Sequence, residues 1–152
     1  MAKPPNILDF SEEGSVEQPS IALFASLGWQ TMNCYHEFAR GQSKLGRDNK
    51  GEVVLVSRLR PALKKLNPSL PDEAITGAIE ELTRDRSAMS AVAANREVYQ
   101  LLKNGVKATY RGQDADAEEV TETVTVIDWK TPANNDFFLA SQFWMTGTIR
   151  PS

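Results

Sequence analysis

The segment Phe137–Met145 constrains the fold of this 152-residue chain more than any other, because it is mostly apolar and aromatic, as buried strands are. Thr146 and Gly147 follow it and predict a turn. A strand returning from that turn is expected, but only Thr148–Ser152 remain after it. Because a strand without a neighbour leaves its backbone donors and acceptors unpaired, we expect this domain to be incomplete at its C-terminus.

Composition is typical of a soluble globular protein, with 41% hydrophobic and 24% charged residues, and the length allows one domain with a real core. The net charge of −3 gives no global attraction to nucleic acid. The single cysteine, Cys34, excludes an internal disulfide and fits a reducing compartment. The longest apolar run, Ile21–Ala25, is too short to span a membrane. Residues 1–6 lack the apolar core of a signal peptide, so we expect a cytoplasmic protein.

The spacing of apolar residues and the positions of glycine and proline predict an alternation of helices and strands. The chain is predicted to begin with a flexible lead at residues 1–15, a helix from the N-cap Ser15 to Gly28, a strand Trp29–Tyr35 and a loop Gly41–Gly51. Three helices are predicted next: Val53–Leu66, a second that starts at Pro71 and Asp72, and Ala91–Lys103. The predicted strands that follow are Val106–Tyr110, Glu119–Trp129 and Asn134–Met145. Residues 16–152 are expected to form the domain. Only a short connection separates the last two strands, so Asn134–Met145 is predicted to pair with Val120–Trp129.

Several short motifs resemble restriction subunits of type I restriction–modification enzymes. Asn134–Phe137 followed by Ala140–Trp144 is similar to the stretch just before the nuclease motif of that family. Further similar pieces are, in order, Leu27–Gln30, Asn33–His36, Leu45–Arg47, Lys50–Leu55, Arg58–Arg60, Asn95–Tyr99 and Val126–Trp129. The resemblance extends from about Phe10 to Gly147, and its specificity comes from the order and spacing of the pieces.

The resemblance implies an α/β fold with a mixed sheet flanked by helices, which is a restriction-endonuclease-like domain of the PD-(D/E)xK class. In that family an Asp ends one strand and Glu-x-Lys lies on the next, after the motifs that are matched here. The resemblance therefore implies the N-terminal part of the nuclease domain, and we expect no catalytic residue in this chain. The alternative is a non-catalytic module that contacts DNA or partner subunits.

The same resemblance implies cofactors and partners. Mg²⁺ would serve the complete nuclease domain, and ATP would act only through downstream motor domains, since this chain has no Gly-x-x-x-x-Gly-Lys-Ser/Thr phosphate loop. The implied partners are DNA and the modification and specificity subunits, of which the specificity subunit reads the recognition sequence.

Glu17 is the candidate metal-supporting residue, because the resembled family has a Glu near this position that faces the nuclease site. A carboxylate suits a divalent cation, which prefers oxygen ligands. The structural alternative is an acid at a helix N-terminus, where the helix dipole stabilises it.

A basic stretch is the candidate DNA contact. Residues 40–65 contain eight basic and two acidic residues, although the chain as a whole is acidic. The residues predicted to contact the DNA backbone are Arg47, Lys50, Arg58, Arg60 and Lys64. The alternative is a solvated helix face beside a polar loop.

Two other groups are interpreted as structural. Cys34 and His36 would share one face of a strand, but the sequence has no second Cys or His to complete a zinc site. The aromatic side chains of the apolar strands are expected in the core rather than as platforms for bases. These are Trp129, Phe137, Phe143 and Trp144.

Overall fold

A computed structural model of the chain describes residues 13–112 and 118–146, and these fall into two compact units. The terminal unit contains residues 13–44 and 137–146, and the middle unit contains residues 45–112 and 118–136. None of the helices within these residues is long and apolar enough to cross a membrane. Most of the predicted lead, and the chain after Thr146, lie outside the described residues.

The terminal unit combines one helix with a two-stranded parallel ladder. A π-helical turn at Glu13–Glu17 leads into α1, Gln18–Ser26, with Pro19 in its first turn. Gly28 ends this segment at a φ of 87°, a backbone conformation that suits glycine. The predicted N-cap Ser15 is wrong, because the chain is already helical there and Glu17 occupies the cap position.

Strand β1, Gln30–Asn33, pairs in parallel with β4, Phe138–Ser141. The predicted pairing of Asn134–Met145 with Val120–Trp129 is therefore wrong. The chain between these segments forms a 3₁₀ turn at Pro132–Asn134 instead of a hairpin connection. β4 therefore pairs with a strand more than 100 positions away in sequence, since Gln30 lies opposite Phe138 in the ladder.

The middle unit contains three helices and an antiparallel pair of strands. The helices are α2 (Val56–Leu66), α3 (Asp72–Thr83) and α4 (Ala91–Asn104), and the strands are β2 (Val106–Arg111) and β3 (Glu119–Val124). Leu63 of α2, Ala74, Ile75, Ala78 and Ile79 of α3, Val106 and Ala108 of β2, and Val124 of β3 form its buried core. An apolar face on α3 thus covers one face of the hairpin.

Local signals account for the helix ends in this unit. Pro71 precedes α3 as predicted, and Ser90 caps α4 by accepting a hydrogen bond from the Ala93 N–H at 3.2 Å. Gly105 ends α4 with a φ of 84°. The helix α2 begins at Val56, three residues later than predicted, and Pro61 still lies inside it, beyond the first turn.

The α/β composition agrees with the prediction. The ladders among the described residues are two separate two-stranded pairs, one parallel and one antiparallel, rather than one mixed sheet. The restriction-endonuclease-like sheet stays a prediction. Two strands are shorter than predicted. β3 stops at Val124 instead of Trp129, and β1 covers only Gln30–Asn33 of the predicted Trp29–Tyr35.

Candidate functional site

In the terminal unit, the side chain of Glu17 contacts Gln142, a partner that the sequence analysis did not predict. The side-chain amide Nε2 of Gln142 donates a hydrogen bond to Glu17 Oε2 at 2.7 Å, across 125 positions of sequence. Glu17 precedes α1 and Gln142 follows β4. Because β1 comes soon after α1 and pairs with β4, the parallel ladder brings these two chain segments together.

Two buried oxygen atoms near this contact lack partners. Glu17 Oε1 and Ser141 Oγ are shielded from solvent and make no hydrogen bond. Leaving a buried polar atom unsatisfied costs roughly 1–3 kcal/mol, so such atoms are uncommon in folded proteins and call for an explanation. Gln142 also has a φ of 52°, which non-glycine residues seldom adopt. Unsatisfied atoms and a strained backbone together are typical of functional sites.

An aromatic cluster holds the elements that carry Glu17 and Gln142. The ring of Trp29 lies 4.8 Å from that of Phe24 on α1, and 4.9 Å from that of Phe137 just before β4. The Gln30 N–H donates to Phe137 O at 3.0 Å, and the Cys34 N–H donates to Ser141 O at 2.8 Å. Hydrogen bonds from the β1 segment therefore hold both ends of β4.

Glu17 has the chemistry that a divalent cation requires, but it does not form a complete site. Its Oε1 is an unpartnered oxygen on a carboxylate, the ligand type that Mg²⁺ prefers. Among residues 13–112 and 118–146 no group of three or more His, Cys, Asp or Glu side chains is placed to hold a metal ion. The residues present thus fit a single supporting ligand, and the remaining ligands would have to come from elsewhere.

The five predicted DNA-contacting residues all lie in the middle unit, and most already contact other protein groups. Arg47 is buried, with its guanidinium donating to the backbone oxygen of Glu52 at 3.1 Å. Burial makes Arg47 a structural residue of its loop, and the geometry does not favour it as a phosphate contact. Lys50 lies in the same loop and is exposed.

The other three of these residues lie on α2. Arg58 forms a two-pronged ion pair with Asp136, with distances of 2.7 Å and 2.9 Å from Nη2 to the two carboxylate oxygens. Arg60 donates to Thr76 Oγ1 on α3 at 3.0 Å. Lys64 pairs with Asp72 at 2.7 Å, in an exposed position where solvent weakens the attraction. Arg60 and Lys64 are four residues apart, so they share one helix face.

The structure revises two expectations about side chains. Cys34 and His36 lie after the end of β1 rather than on a strand, with Cys34 buried and His36 exposed, so they do not share a strand face. Trp129 and Trp144 are 60% and 52% exposed, so the prediction of core positions is wrong for both. Their apolar neighbours in sequence suggested burial, but neither residue lies within a strand. Phe137 and Phe143 are partly buried.

A hydrogen-bonded loop around Asp128 was not identified from the sequence. Hydrogen bonds from the Asn134 side chain and then from the backbone N–H groups of Thr131 and Lys130 hold the pKa of the Asp128 carboxyl below its usual value. The Asn135 side chain closes the loop by bonding both the N–H and the carbonyl of Asp128. The motif pieces that contain these residues thus have a structural role here, since they build the turn that precedes β4.

Three other residues of the candidate sites were not identified from the sequence: Gln142 and Ser141 near Glu17, and Asp136, the partner of Arg58. One signal was present for Gln142. It is a polar residue inside an otherwise apolar and aromatic segment. No signal in the sequence pointed to Asp136 as the partner of Arg58.

Comparison with known proteins gives two matches. A family model described as Type I restriction enzyme R protein N terminus matches residues 9–151. The type I restriction enzyme HindI endonuclease subunit of Haemophilus influenzae is 30% identical to the chain over 130 residues. That alignment covers 86% of this chain but only 12% of the relative, so the chain spans a small part of its length. No solved structure matches the chain.

Proposed function

The chain belongs to the family of N-terminal regions of type I restriction enzyme R proteins, and from this we propose that it is the N-terminal part of the endonuclease domain of such a subunit. Its role would be the ATP-dependent restriction of foreign DNA in the cytoplasm. DNA and the modification and specificity subunits are the proposed partners. The observation that supports a nuclease role for this region is the unpartnered buried oxygen of Glu17, held beside Gln142.

In this proposal Glu17 is a supporting ligand of Mg²⁺, which when bound stabilises the negative charge that develops on the phosphate during cleavage. The chain contributes the position of one carboxylate. The Asp and the Glu-x-Lys motif that complete a PD-(D/E)xK site are expected downstream of Ser152. ATP would be used by motor domains that are also downstream.

Two linked experiments test the nuclease role. The first is to read the coding frame beyond Ser152, where an Asp followed by Glu-x-Lys supports the proposal. The second is to measure plasmid cleavage by that longer subunit, assembled with its partner subunits, ATP and Mg²⁺. Glu17→Gln should lower the cleavage rate at least about 10-fold, as loss of a metal-supporting group does. The exposed Glu80→Gln is the matched control, and equal rates for both variants would contradict the role of Glu17.

The alternative is a non-catalytic module that contacts DNA or partner subunits and does not cleave DNA. Both proposals predict that the 152-residue chain alone does not cleave plasmid DNA with Mg²⁺. Cleavage above background that disappears in Glu17→Ala would overturn that prediction. A stop codon directly after Ser152 in the gene would favour the alternative.

We also propose that the exposed face of α2 binds the DNA backbone, with Arg60 and Lys64 as its centre and with Lys50 and Arg58 as further contacts. The ion pair of Lys64 with Asp72 is exposed and exchangeable, so a phosphate can replace it at little cost. Arg60→Ala with Lys64→Ala should weaken binding and flatten the slope of log affinity against log salt by about two, one for each lost phosphate. Lys103→Ala on α4 is the control, and no change in slope would identify a merely solvated face.

A further inference from the structure

A loop that follows β1, residues 36–44, lines a pocket in the terminal unit with a volume of about 410 Å³. Three basic side chains lie in this lining and are exposed, namely His36, Arg40 and Lys44. Glu37 is the acid among the described lining residues, and because it is only 3% exposed, little of its carboxylate faces the pocket. Arg40 and Lys44 thus give the pocket a net positive charge, which attracts anions.

Hydrogen bonds hold this loop in place, although it contains neither a helix nor a strand. Three backbone bonds of 3.0, 3.2 and 3.0 Å make successive turns between Cys34 and Gly41. The φ of 77° at Gly41 suits glycine and lets the chain reverse after these turns. The buried Glu37 then accepts a hydrogen bond from Ser43 Oγ, which ties the two ends of the loop together. The backbone that carries the basic side chains is therefore ordered before a ligand arrives, and this lowers the entropic cost of binding.

The two cations of the pocket differ from most others in the described residues, because they lack acidic partners. Most described arginines contact a protein oxygen, namely Arg47, Arg58, Arg60, Arg84, Arg86 and Arg111. Neither Arg40 nor Lys44 forms an ion pair with a residue that the structure describes. Since like charges in one pocket repel each other, an anion bound between them lowers the free energy of the arrangement.

We propose that this pocket binds the phosphate group of a phosphate monoester, through the charges of Arg40 and Lys44 and hydrogen bonds from His36 and Gln42. Arginine can donate two parallel hydrogen bonds to a phosphate, and lysine supplies a compact charge beside it. A monoester carries nearly two negative charges and three acceptor oxygens, which match two cations and several donors better than a backbone phosphodiester does. A phosphorylated DNA end, a nucleotide and inorganic phosphate share this chemistry, and only the DNA source rests on the proposed function.

Titration of the ¹⁵N-labelled 152-residue chain with inorganic phosphate tests the proposal, with sodium chloride adjusted to keep the ionic strength constant. We expect saturable shifts of the amide signals of residues 36–44. Arg40→Gln with Lys44→Gln should raise the phosphate concentration for half-maximal shift at least about 10-fold, because two charge-assisted contacts are lost. Both side chains are exposed and unpaired, so this variant should melt at the wild-type temperature.

The matched control is Arg96→Gln with Lys103→Gln, which removes the same charge from exposed positions on α4. It should titrate with phosphate like the wild type. If it weakens binding as much as the Arg40 and Lys44 variant does, only the net charge of the chain matters and the pocket is not a site. A polyglutamate peptide should not shift residues 36–44, and shifts equal to those with phosphate would overturn the selectivity for phosphate.

A second titration identifies the source of the phosphate, with thymidine 5′-monophosphate and with a short DNA duplex that has or lacks 5′-phosphates. Shifts that need the 5′-phosphates of the duplex support a DNA end as the ligand, and shifts with the nucleotide alone support a small molecule. Equal shifts with both duplexes would replace the proposal by a general backbone contact. No saturable shift with phosphate, or a wild-type titration of the Arg40 and Lys44 variant, would overturn it. Neither result affects the proposed role of Glu17, which lies outside this loop.

Discussion

The middle unit and the terminal unit differ in what they bury. The middle unit buries aliphatic side chains from four elements, and Leu63, Ile75 and Val124 among them are fully buried. Its buried amide, Asn67, bonds the backbone on both sides. In the terminal unit Cys34 is the buried apolar residue among residues 15–44 and 137–146, and its other fully shielded atoms include two oxygens without partners.

The two units therefore differ in the size of their apolar cores. Apolar burial gives stability, since about 25 cal/mol is gained per Å² of apolar surface removed from water. Unpartnered oxygens and a positive φ at Gln142 oppose stability, and such features persist where function requires them. The middle unit is thus built around an apolar core, whereas the terminal unit contains the candidate residue Glu17.

The largest effect should come from adding a methyl group at Gly105 of the middle unit. A Cβ there would lie 2.7 Å from both Thr123 Cγ2 and Val124 O, and the φ of 84° is unfavourable for alanine. Gly105→Ala should lower the free energy of unfolding by about 3–4 kcal/mol, measured by urea denaturation. Gly28 of the terminal unit has a similar φ of 87° but open space around it, so Gly28→Ala should cost only about 1 kcal/mol. Equal losses would mean that the two units are packed alike.

The next effect concerns the bridge made by Asn67. Its Nδ2 donates to Leu63 O and to Thr125 O, both at 2.8 Å, and its Oδ1 accepts from the Thr125 N–H at 2.8 Å. Asn67→Ala leaves these buried groups unsatisfied and should lower the free energy of unfolding by about 2 kcal/mol. The exposed Asn104→Ala should change it by less than about 0.5 kcal/mol. A small loss for Asn67→Ala in denaturation would show that water replaces the bridge.

A smaller effect is expected from the ion pair between Arg58 and Asp136. A double-mutant cycle with alanine should give a coupling of about 1 kcal/mol, because the pair is two-pronged and its side chains are only 27% and 36% exposed. The pair of Arg111 with Glu119, at 3.9 Å and largely exposed, serves as control and should show no measurable coupling. A coupling of zero for Arg58 would leave its guanidinium available to DNA.

The smallest expected effect is a pH dependence from Asp128. Its pKa in the folded chain lies below the ordinary value of 3.8, so it stabilises the fold above the unfolded pKa. That contribution is lost as the pH falls below about 3.8 and through the folded pKa. Thermal melts across this acidic range should therefore fall less steeply for Asp128→Asn than for the wild type. Parallel curves would contradict the role of the Asn134 and Thr131 hydrogen bonds.

Local signals predicted some parts of the fold well. Pro71 and Asp72 marked the start of α3, and Gly105 marked the end of α4, because capping and glycine conformation act over a few residues. The strand partners were predicted incorrectly, since nearness in sequence favoured a hairpin for β4. The turn held by Asp128 and Asn135 removes that possibility, and its hydrogen bonds could not be derived from periodicity.

The candidate site was only half predictable. Glu17 was identified from a family resemblance, whereas Gln142 became its partner only because β1 and β4 pair in parallel. In the same way, the charges of residues 40–65 suggested a DNA contact, but burial decided that Arg47 serves its own loop. Charge is a property of composition, while the availability of a charged group depends on what surrounds it.

The sequence by itself determined the family of this chain and the helices of its middle unit. Those features depend on residue identity and on interactions within one or two turns of the backbone. Only the tertiary structure decided that β4 joins β1, that Glu17 meets Gln142, and that Arg58 is held by Asp136. Pairings across such separations in sequence are selected by the free energy of the whole packed arrangement, because no local preference distinguishes one distant partner from another.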